Sequence, residues 1–364
     1  METFESEKTN GKHDHVGGLM AGLNQDERSA FDAFLQLCNS RGWLTERPAG
    51  LGSADACHGL NDEATLLRFL KARSFNVDGA AKQFQESLAI RNSVDAIAAY
   101  DSIDVAQFER ARSMYPHWSG RRDKRGLPVC IFDIAHLDAD ALASYGKQRA
   151  TVDGTTRQAI VFHDYLTRFV LPLCSAMKPG EPVTSAVYLV DIGSFTLKQA
   201  WSVRGYAQDI SKLLATCYPE VIDRVYVLNA APYFAKIWSL IKKWVDPRTA
   251  SKFIIVPSTE VMPTLLETMD AEDIPKQYGG RFDAEHGMTP RLDKDIQQAL
   301  TWVSTSSVGE GLKLPRGPLK WVVKMGEPAG SSDGNGGDGG EMAAVAVGSK
   351  DGVARTDVIA LRIE

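Results

Sequence analysis

The 364-residue chain contains no run approaching ~20 consecutive apolar residues, so no segment reads as a membrane-spanning helix. Its five cysteines, at 38, 57, 130, 174 and 217, are odd in number, scattered and never paired as CxxC. That argues against a disulfide framework and against a zinc site, and it fits a reducing compartment. Basic residues are in the minority, 41 Lys and Arg against 46 Asp and Glu, and the formal net charge is -5. Nucleic-acid binding needs a basic surface, so that class of partner is excluded. No GxGxxG follows a strand-like run, and neither GxxxxGK[ST] nor GxSxG occurs, so dinucleotide, phosphate-loop and α/β-hydrolase chemistry lack their local geometry. No catalytic residue, metal ligand or cofactor is therefore expected. The N-terminus, METFESEKTNGKHDH, is polar and acidic where a secretory signal needs a basic start and an apolar core, which predicts a cytoplasmic protein.

What is present suffices for a sizeable core: 44% of residues are hydrophobic. After a polar tail, helical patterns are predicted from Asn24 to Leu44, from NDEATLLRFLKARSF at Asn61, and from Asp78 to Arg91. Four short apolar runs follow, PVCIFDI, SAVYLVDI, RVYVLNA and KFIIV, each bounded by turn residues and read as a buried strand. Helical spacing lies between them, as in Ala159, Phe162, Leu166, Phe169 and Leu173. Strands alternating with helices predict an α/β layer with a largely parallel sheet covered on both faces. Residues 326–340, GEPAGSSDGNGGDGG, read as a linker, with only weakly strand-like sequence after it around AAVAVG and DVIALRI.

Several polar features read blandly. His163-Asp164 sits in a helical pattern without a histidine cluster and reads as a helix-surface or core pair, and His13 and His15 read as solvated tail residues. GRRDKRG, 120–126, reads as a solvated turn. More informative is YFAKIWSLIKKWVD after Pro232, which puts Ile237, Leu240, Ile241 and Trp244 on one helical face, widened by Phe234, Trp238 and Val245. Such a helix either packs on the sheet as core or meets lipid with its lysines near headgroups.

ATCYPEVIDRVYVLNAAPYFAKIWSLIKKWVDPRTASKFIIV resembles the core of the CRAL-TRIO lipid-binding family, in particular its fungal phosphatidylinositol/phosphatidylcholine transfer proteins. DEATLLRFLKARSFNVDGA, DKRGLPV and IPKQYGGRFD agree with further family motifs in the same order, so the resemblance spans roughly residues 25 to 285. PRGPLKW and AVAVGSKDG resemble a fungal C-terminal extension. The implied fold is α/β: an N-terminal helical module, then a largely parallel sheet with helices enclosing an apolar lipid cavity. The implied division is a disordered tail (1–22), the helical module (23–98), the lipid-binding domain (99–285), an extension (286–325), a Gly-rich linker (326–340) and a short tail (341–364).

The resemblance assigns phosphatidylinositol binding to Arg73, Glu220, Thr249 and Lys252. Cations and a hydroxyl suit the phosphate diester, and a carboxylate suits the inositol hydroxyls; a plain salt-bridge network is the alternative. It assigns a gate helix to Phe234, Ile237, Trp238, Ile241 and Trp244, and a second-ligand pocket to Ala186, Tyr188 and Leu214. Two departures stand out. Ser74 replaces a family lysine, and Ala186-Val187-Tyr188 replaces a Ser-x-Thr pair that binds phosphatidylcholine, so poor choline-lipid binding is expected. Some relatives hold haem with tyrosine and histidine in this cavity; Tyr188 keeps the tyrosine, but Ala186 supplies no histidine, and haem is not expected. The expected partners are phosphatidylinositol, a second hydrophobic lipid and, transiently, a membrane surface on which the protein is peripheral. The rival readings are a lipid-sensing adaptor, whose C-terminal residues 326–364 would be separable from transfer, and a carrier of a sterol or isoprenoid.

Overall fold

A computed structural model of the chain describes residues 20, 22–44, 51–52, 54–56, 59–149, 154–178, 180–194, 196–243, 247–303, 313–323 and 341–362. The predicted tail up to residue 19, the linker at 326–340 and Trp244 lie outside the described residues. The first helix, α1 (Gln25–Ser40), starts at a reciprocal cap: Asn24 accepts from the Glu27 backbone N–H, and the Glu27 carboxylate accepts from that of Asn24. A two-residue strand, β1 (Asp55–Ala56), precedes α2 (Glu63–Ala72), capped by Asp62, and α3 (Val77–Ser93), capped by Asn76. Phe84 takes Phe34 and Phe69 edge-on at 6.1 and 5.1 Å, closing a core of this module's own.

Next come α4 (Ala96–Ser102), α5 (Val105–Met114), β2 (His117–Arg122), β3 (Pro128–Asp133), α6 (Ala139–Arg149) and α7 (Gly154–Tyr165). A π-helical turn, Leu166–Val170, joins α7 to α8 (Leu171–Ala176). The chain continues through β4 (Ala186–Asp191), α9 (Leu197–Ser202), α10 (Arg204–Cys217), β5 (Ile222–Leu228), α11 (Phe234–Ile241), α12 (Pro247–Ala250), β6 (Phe253–Ile255) and α13 (Val261–Thr268). The sheet order is β2-β3-β4-β5-β6, parallel throughout except for β2 against β3. Strand alternation splits the core. Val129, Ile131, Val187, Leu189 and Tyr226 pack toward α13, while Cys130, Phe132, Tyr188, Val225 and Val227 belong to the cluster on the other side.

Edge strand β2 was not expected, and it corrects the reading of GRRDKRG. Gly120, Arg121 and Arg122 belong to the strand, with Arg122 bidentate to Asp293 at 2.7 and 2.9 Å and Arg121 reaching Asp273 at 3.4 Å. Only Asp123 to Gly126 turn, around a buried Asp123 carboxylate that accepts from the Arg125 and Leu127 N–H groups at 2.9 Å. At Gly120, φ is +92° and an added Cβ would lie 2.4 Å from the Arg291 backbone, so glycine is required there.

The C-terminal region departs most from expectation. It provides α14 (Lys294–Gln298), β7 (Leu300–Trp302), β8 (Leu319–Val323), β9 (Met342–Ala346), β10 (Ser349–Lys350), β11 (Val353–Ala354) and β12 (Asp357–Arg362). Five strands form an antiparallel sheet in the order β1-β8-β9-β12-β7, so residues 342–362 sit inside a sheet that also holds β1 from the front of the chain. They are not a detachable tail. Trp321 of β8 stacks on Phe169 at 5.4 Å, and its indole N–H donates to the Phe169 carbonyl at 3.1 Å.

Candidate functional site

A cavity of about 300 Å³ lies between the main sheet and α10. Its floor is Phe132, Tyr188, Val190, Val225 and Phe253, and its α10 wall carries Tyr206, Ile210 and Leu214. The sequence folds this way locally because alternate residues of β4 and β5 face α10, whose apolar positions recur at helical spacing. A polar group lines the same cavity: Arg73, Glu220, Arg248, Thr249 and Lys252. All four predicted headgroup residues thus come together, and Arg248, next to Thr249 in DPRTASK, joins them.

Three elements position this polar group. Arg73 is the exposed C-cap residue of α2. Glu220 follows α10 with φ +57°, a left-handed conformation that turns the chain sharply before β5. Lys252 precedes β6, and its ammonium donates to Glu220 Oε2 at 2.9 Å and to the Ile222 carbonyl at 2.6 Å. Arg248 Nε lies 3.4 Å from Glu220 Oε1, and its Nη1 donates to the Lys71 carbonyl at the end of α2. One carboxylate is therefore held between two cations, with Arg73 a third nearby. Ser74, where the family lysine is missing, is exposed and does not line the cavity.

Beside this group lies a buried charge pair. Arg91 of α3 is bidentate to Asp164 of α7 at 2.8 and 2.7 Å, and the Tyr218 hydroxyl is 2.7 Å from Asp164 Oδ1. Burial alone would lower the Arg91 pKa, but Asp164 and Tyr218 more than reverse it. Tyr218 immediately precedes Pro219 and Glu220, so the pair ties the helical module, α7 and the carboxylate-bearing turn together.

The second-ligand residues separate. Tyr188 and Leu214 line the cavity; Ala186 does not. It is fully buried in the core, at the β4 position paired with Ile222. His163 was read as a surface or core residue. It is buried, as a core histidine would be, yet it lines the cavity with Tyr188, so α7 brings an imidazole that β4 lacks. The gate residues Phe234 and Trp238 both lie on α11. Phe234 is buried, and Trp238 stacks on Phe253 at 4.7 Å, so here both rings face the protein rather than outward. Ile237 and Ile241 are in the same helix.

Sequence comparison places this architecture. The CRAL/TRIO domain profile matches residues 112–280, and the CRAL/TRIO, N-terminal domain profile matches residues 30–86. The chain belongs to the CRAL-TRIO family. It is 29% identical over 236 residues to the phosphatidylinositol/phosphatidylcholine transfer protein SFH7 of Arabidopsis thaliana, covering 64% of this chain but only 42% of that protein. It is 26% identical over 276 residues to the SEC14 cytosolic factor of Kluyveromyces lactis, covering 75% and 85%. The crystal structure of Sfh5 shares its fold, with a TM-score of 0.53 at 14% identity over 76% of this chain and 96% of that one. Among the described residues no helix is long and apolar enough to cross a membrane.

Proposed function

We propose that this chain binds phosphatidylinositol and exchanges it between membranes through a gated apolar cavity, without covalent chemistry. The observation that carries the proposal is the polar group of Arg73, Glu220, Arg248, Thr249 and Lys252 beside an otherwise apolar cavity. Cations match a phosphate diester, and Glu220 offers an acceptor to ring hydroxyls. The relatives named as phosphatidylinositol/phosphatidylcholine transfer proteins and cytosolic factors support the same reading.

The energetics require a gate. Two acyl chains of roughly 30 methylenes in total, at ~0.8 kcal/mol each, represent about 24 kcal/mol of transfer free energy. Extraction proceeds only where the cavity replaces the bilayer almost completely. A cavity of about 300 Å³ is at the small end of ligand sites, so loading a phospholipid requires a wall to move. Helix α11 suits that role because its Trp238 rests on Phe253, a residue of the cavity floor. On a membrane, Trp238 would leave Phe253 and the exposed Lys236, Lys242 and Lys243 would meet headgroups.

Vesicle-to-vesicle transfer by the purified chain tests this. Glu220→Ala takes the shared carboxylate from Lys252 and Arg248, and Lys252→Ala removes the closer partner of Glu220; each is expected to reduce phosphatidylinositol transfer about fivefold to a hundredfold, as for loss of ~1–3 kcal/mol. Folded variants that transfer at the parent rate would end the assignment.

A further inference from the structure

We propose that Ser74 is a phosphorylation site, and that a phosphate there switches off the polar end of the cavity by capturing its cations. The effect on lipid transfer rests on the function proposed above; the capture does not. Ser74 is exposed, as is Arg73 before it, and among the described residues the Ser74 hydroxyl has no hydrogen-bond partner. The residue closes α2 in a Schellman turn: its N–H donates to the Lys71 carbonyl at 3.1 Å, and the Phe75 N–H donates to the Leu70 carbonyl at 2.9 Å. Ser74 takes φ +50° at the position where glycine usually ends a helix, so a hydroxyl is kept where the backbone favours no side chain. Phe75 packs against the core of the helical module and fixes the turn, with Ser74 left in solvent.

The cations are already gathered at this turn. The Lys71 carbonyl that takes the Ser74 N–H also accepts from Arg248 Nη1, so the guanidinium and the serine backbone meet at one oxygen, within two hydrogen bonds or ~6 Å of each other. Arg73 adjoins Ser74 in sequence and lines the cavity together with Arg248. A phosphoserine carries about two negative charges and three acceptor oxygens, and forked guanidinium donors bind such a group best. Those donors are the ones assigned above to the lipid phosphate. Glu220, whose Oε1 lies 3.4 Å from Arg248 Nε, would give up that partner to the phosphate. The C-terminal end of α2 opposes a dianion with about half a charge, but Lys71, Arg73 and Arg248 surround the turn and outweigh it. Lys71 and Arg73 also stand three residues and one residue before the hydroxyl, a charge pattern that suits a kinase with an acidic substrate groove. The step moves the γ-phosphoryl group of ATP to Ser74 Oγ. The P–Oγ bond forms, the bond from that phosphorus to the β–γ bridging oxygen breaks, ADP leaves, and the hydroxyl proton passes to the kinase's base.

Two experiments on the purified full chain test this. In the first, the chain is incubated with ATP and protein kinase C, a basophilic serine kinase, and its peptides are read by mass spectrometry. Phosphate is expected on Ser74; phosphate only at other positions overturns the site. In the second, the chain carrying phosphoserine at position 74, incorporated during translation, is compared with the unmodified chain. Phosphorus NMR should place the second phosphate pKa at ~5.5 or below, against an ordinary ~6, because the guanidinium groups favour the dianion. Phosphatidylinositol transfer between vesicles should fall about tenfold, whereas Ser74→Ala should transfer at the parent rate. An ordinary phosphate pKa, or transfer that phosphate leaves unchanged, overturns the capture. If the unmodified chain transfers no phosphatidylinositol, the function proposed above fails, and the phosphopeptide and the phosphorus titration still decide whether the site and the capture stand.

Discussion

Replacing Asp164 by alanine should cost more than any surface change, and the reason is the guanidinium it leaves behind. The Arg91 and Asp164 side chains are 10% and 1% exposed, and they share two hydrogen bonds of 2.8 and 2.7 Å. Breaking a buried pair from one side strands a charge in low dielectric, at ~3–5 kcal/mol. The Tyr218 hydroxyl keeps the Ile160 carbonyl at 3.0 Å as an alternative partner, so the cost is assigned mainly to Arg91. Against a typical total of ~5–15 kcal/mol, that is a large fraction of the stability. Urea unfolding followed by far-UV circular dichroism and tryptophan fluorescence measures it, and loss of α3 docking should show as a separate early transition. The paired replacement of Arg91 by methionine and Asp164 by leucine removes both charges. It should lie within ~1–2 kcal/mol of the parent, so that most of the cost of losing the carboxylate is recovered when the guanidinium goes with it. If Asp164→Ala costs under ~1 kcal/mol, or the double variant is as unstable as the single, the buried-charge account is wrong.

Acid should destabilise the fold before carboxylates titrate. Burial first, then Arg112 and His286, depresses the His117 pKa to about 3, and burial also lowers that of His163. The unfolded chain therefore binds more protons below its histidine pKa of ~6.5, and stability is full above that pH and falls by up to ~1.4 kcal/mol per pH unit per histidine as acid is added. His117→Gln should flatten the slope between pH 6.5 and 5 in urea titrations; an unchanged slope would contradict this assignment. Trp321→Ala removes the stack on Phe169 and its indole hydrogen bond, and should cost ~3–5 kcal/mol in thermal or urea unfolding. A loss below ~1 kcal/mol would show that the C-terminal sheet is not coupled to α7 and α8.

Legibility in the sequence followed burial on both sides. The four parallel strands are continuous apolar runs because helices cover both their faces, and all four were readable. Strand β2, HWSGRR, was not, because it lies at an edge and its arginines are ion-paired with Asp273 and Asp293, partners far along the chain. The C-terminal sheet hid for related reasons. Its β9 is MAAVA, weak in β-branched residues, and its edge β1 is the dipeptide Asp55–Ala56, pairing with Trp321 and Val322 from the other end of the sequence. The motif IPKQYGGRFD was legible and has a local cause: a Cβ at Gly280 would lie 2.1 Å from the Ile274 carbonyl oxygen.

The site was readable wherever a motif combined a chain turn with charge. YPE and DPRTASK supplied Glu220, Thr249 and Lys252, and Arg248 was overlooked only because it fills a variable position of the second motif. His163 was hidden differently. It sits in an apolar helical stripe, where spacing cannot separate a side chain packed against others from one beside an empty volume. Ala186 shows the same limit in a strand. Alternation correctly puts Ala186 and Tyr188 on one face of β4, but it does not say how far along that face the cavity extends. The cavity includes Tyr188 and Val190 and stops short of Ala186, which packs in the core at the level of Ile222. Ala186→Ser would therefore bury a hydroxyl away from the ligand, at ~1–3 kcal/mol if it stays unpaired, instead of offering a donor to a choline headgroup. At this end the cavity is lined by Tyr188 of β4 and His163 of α7.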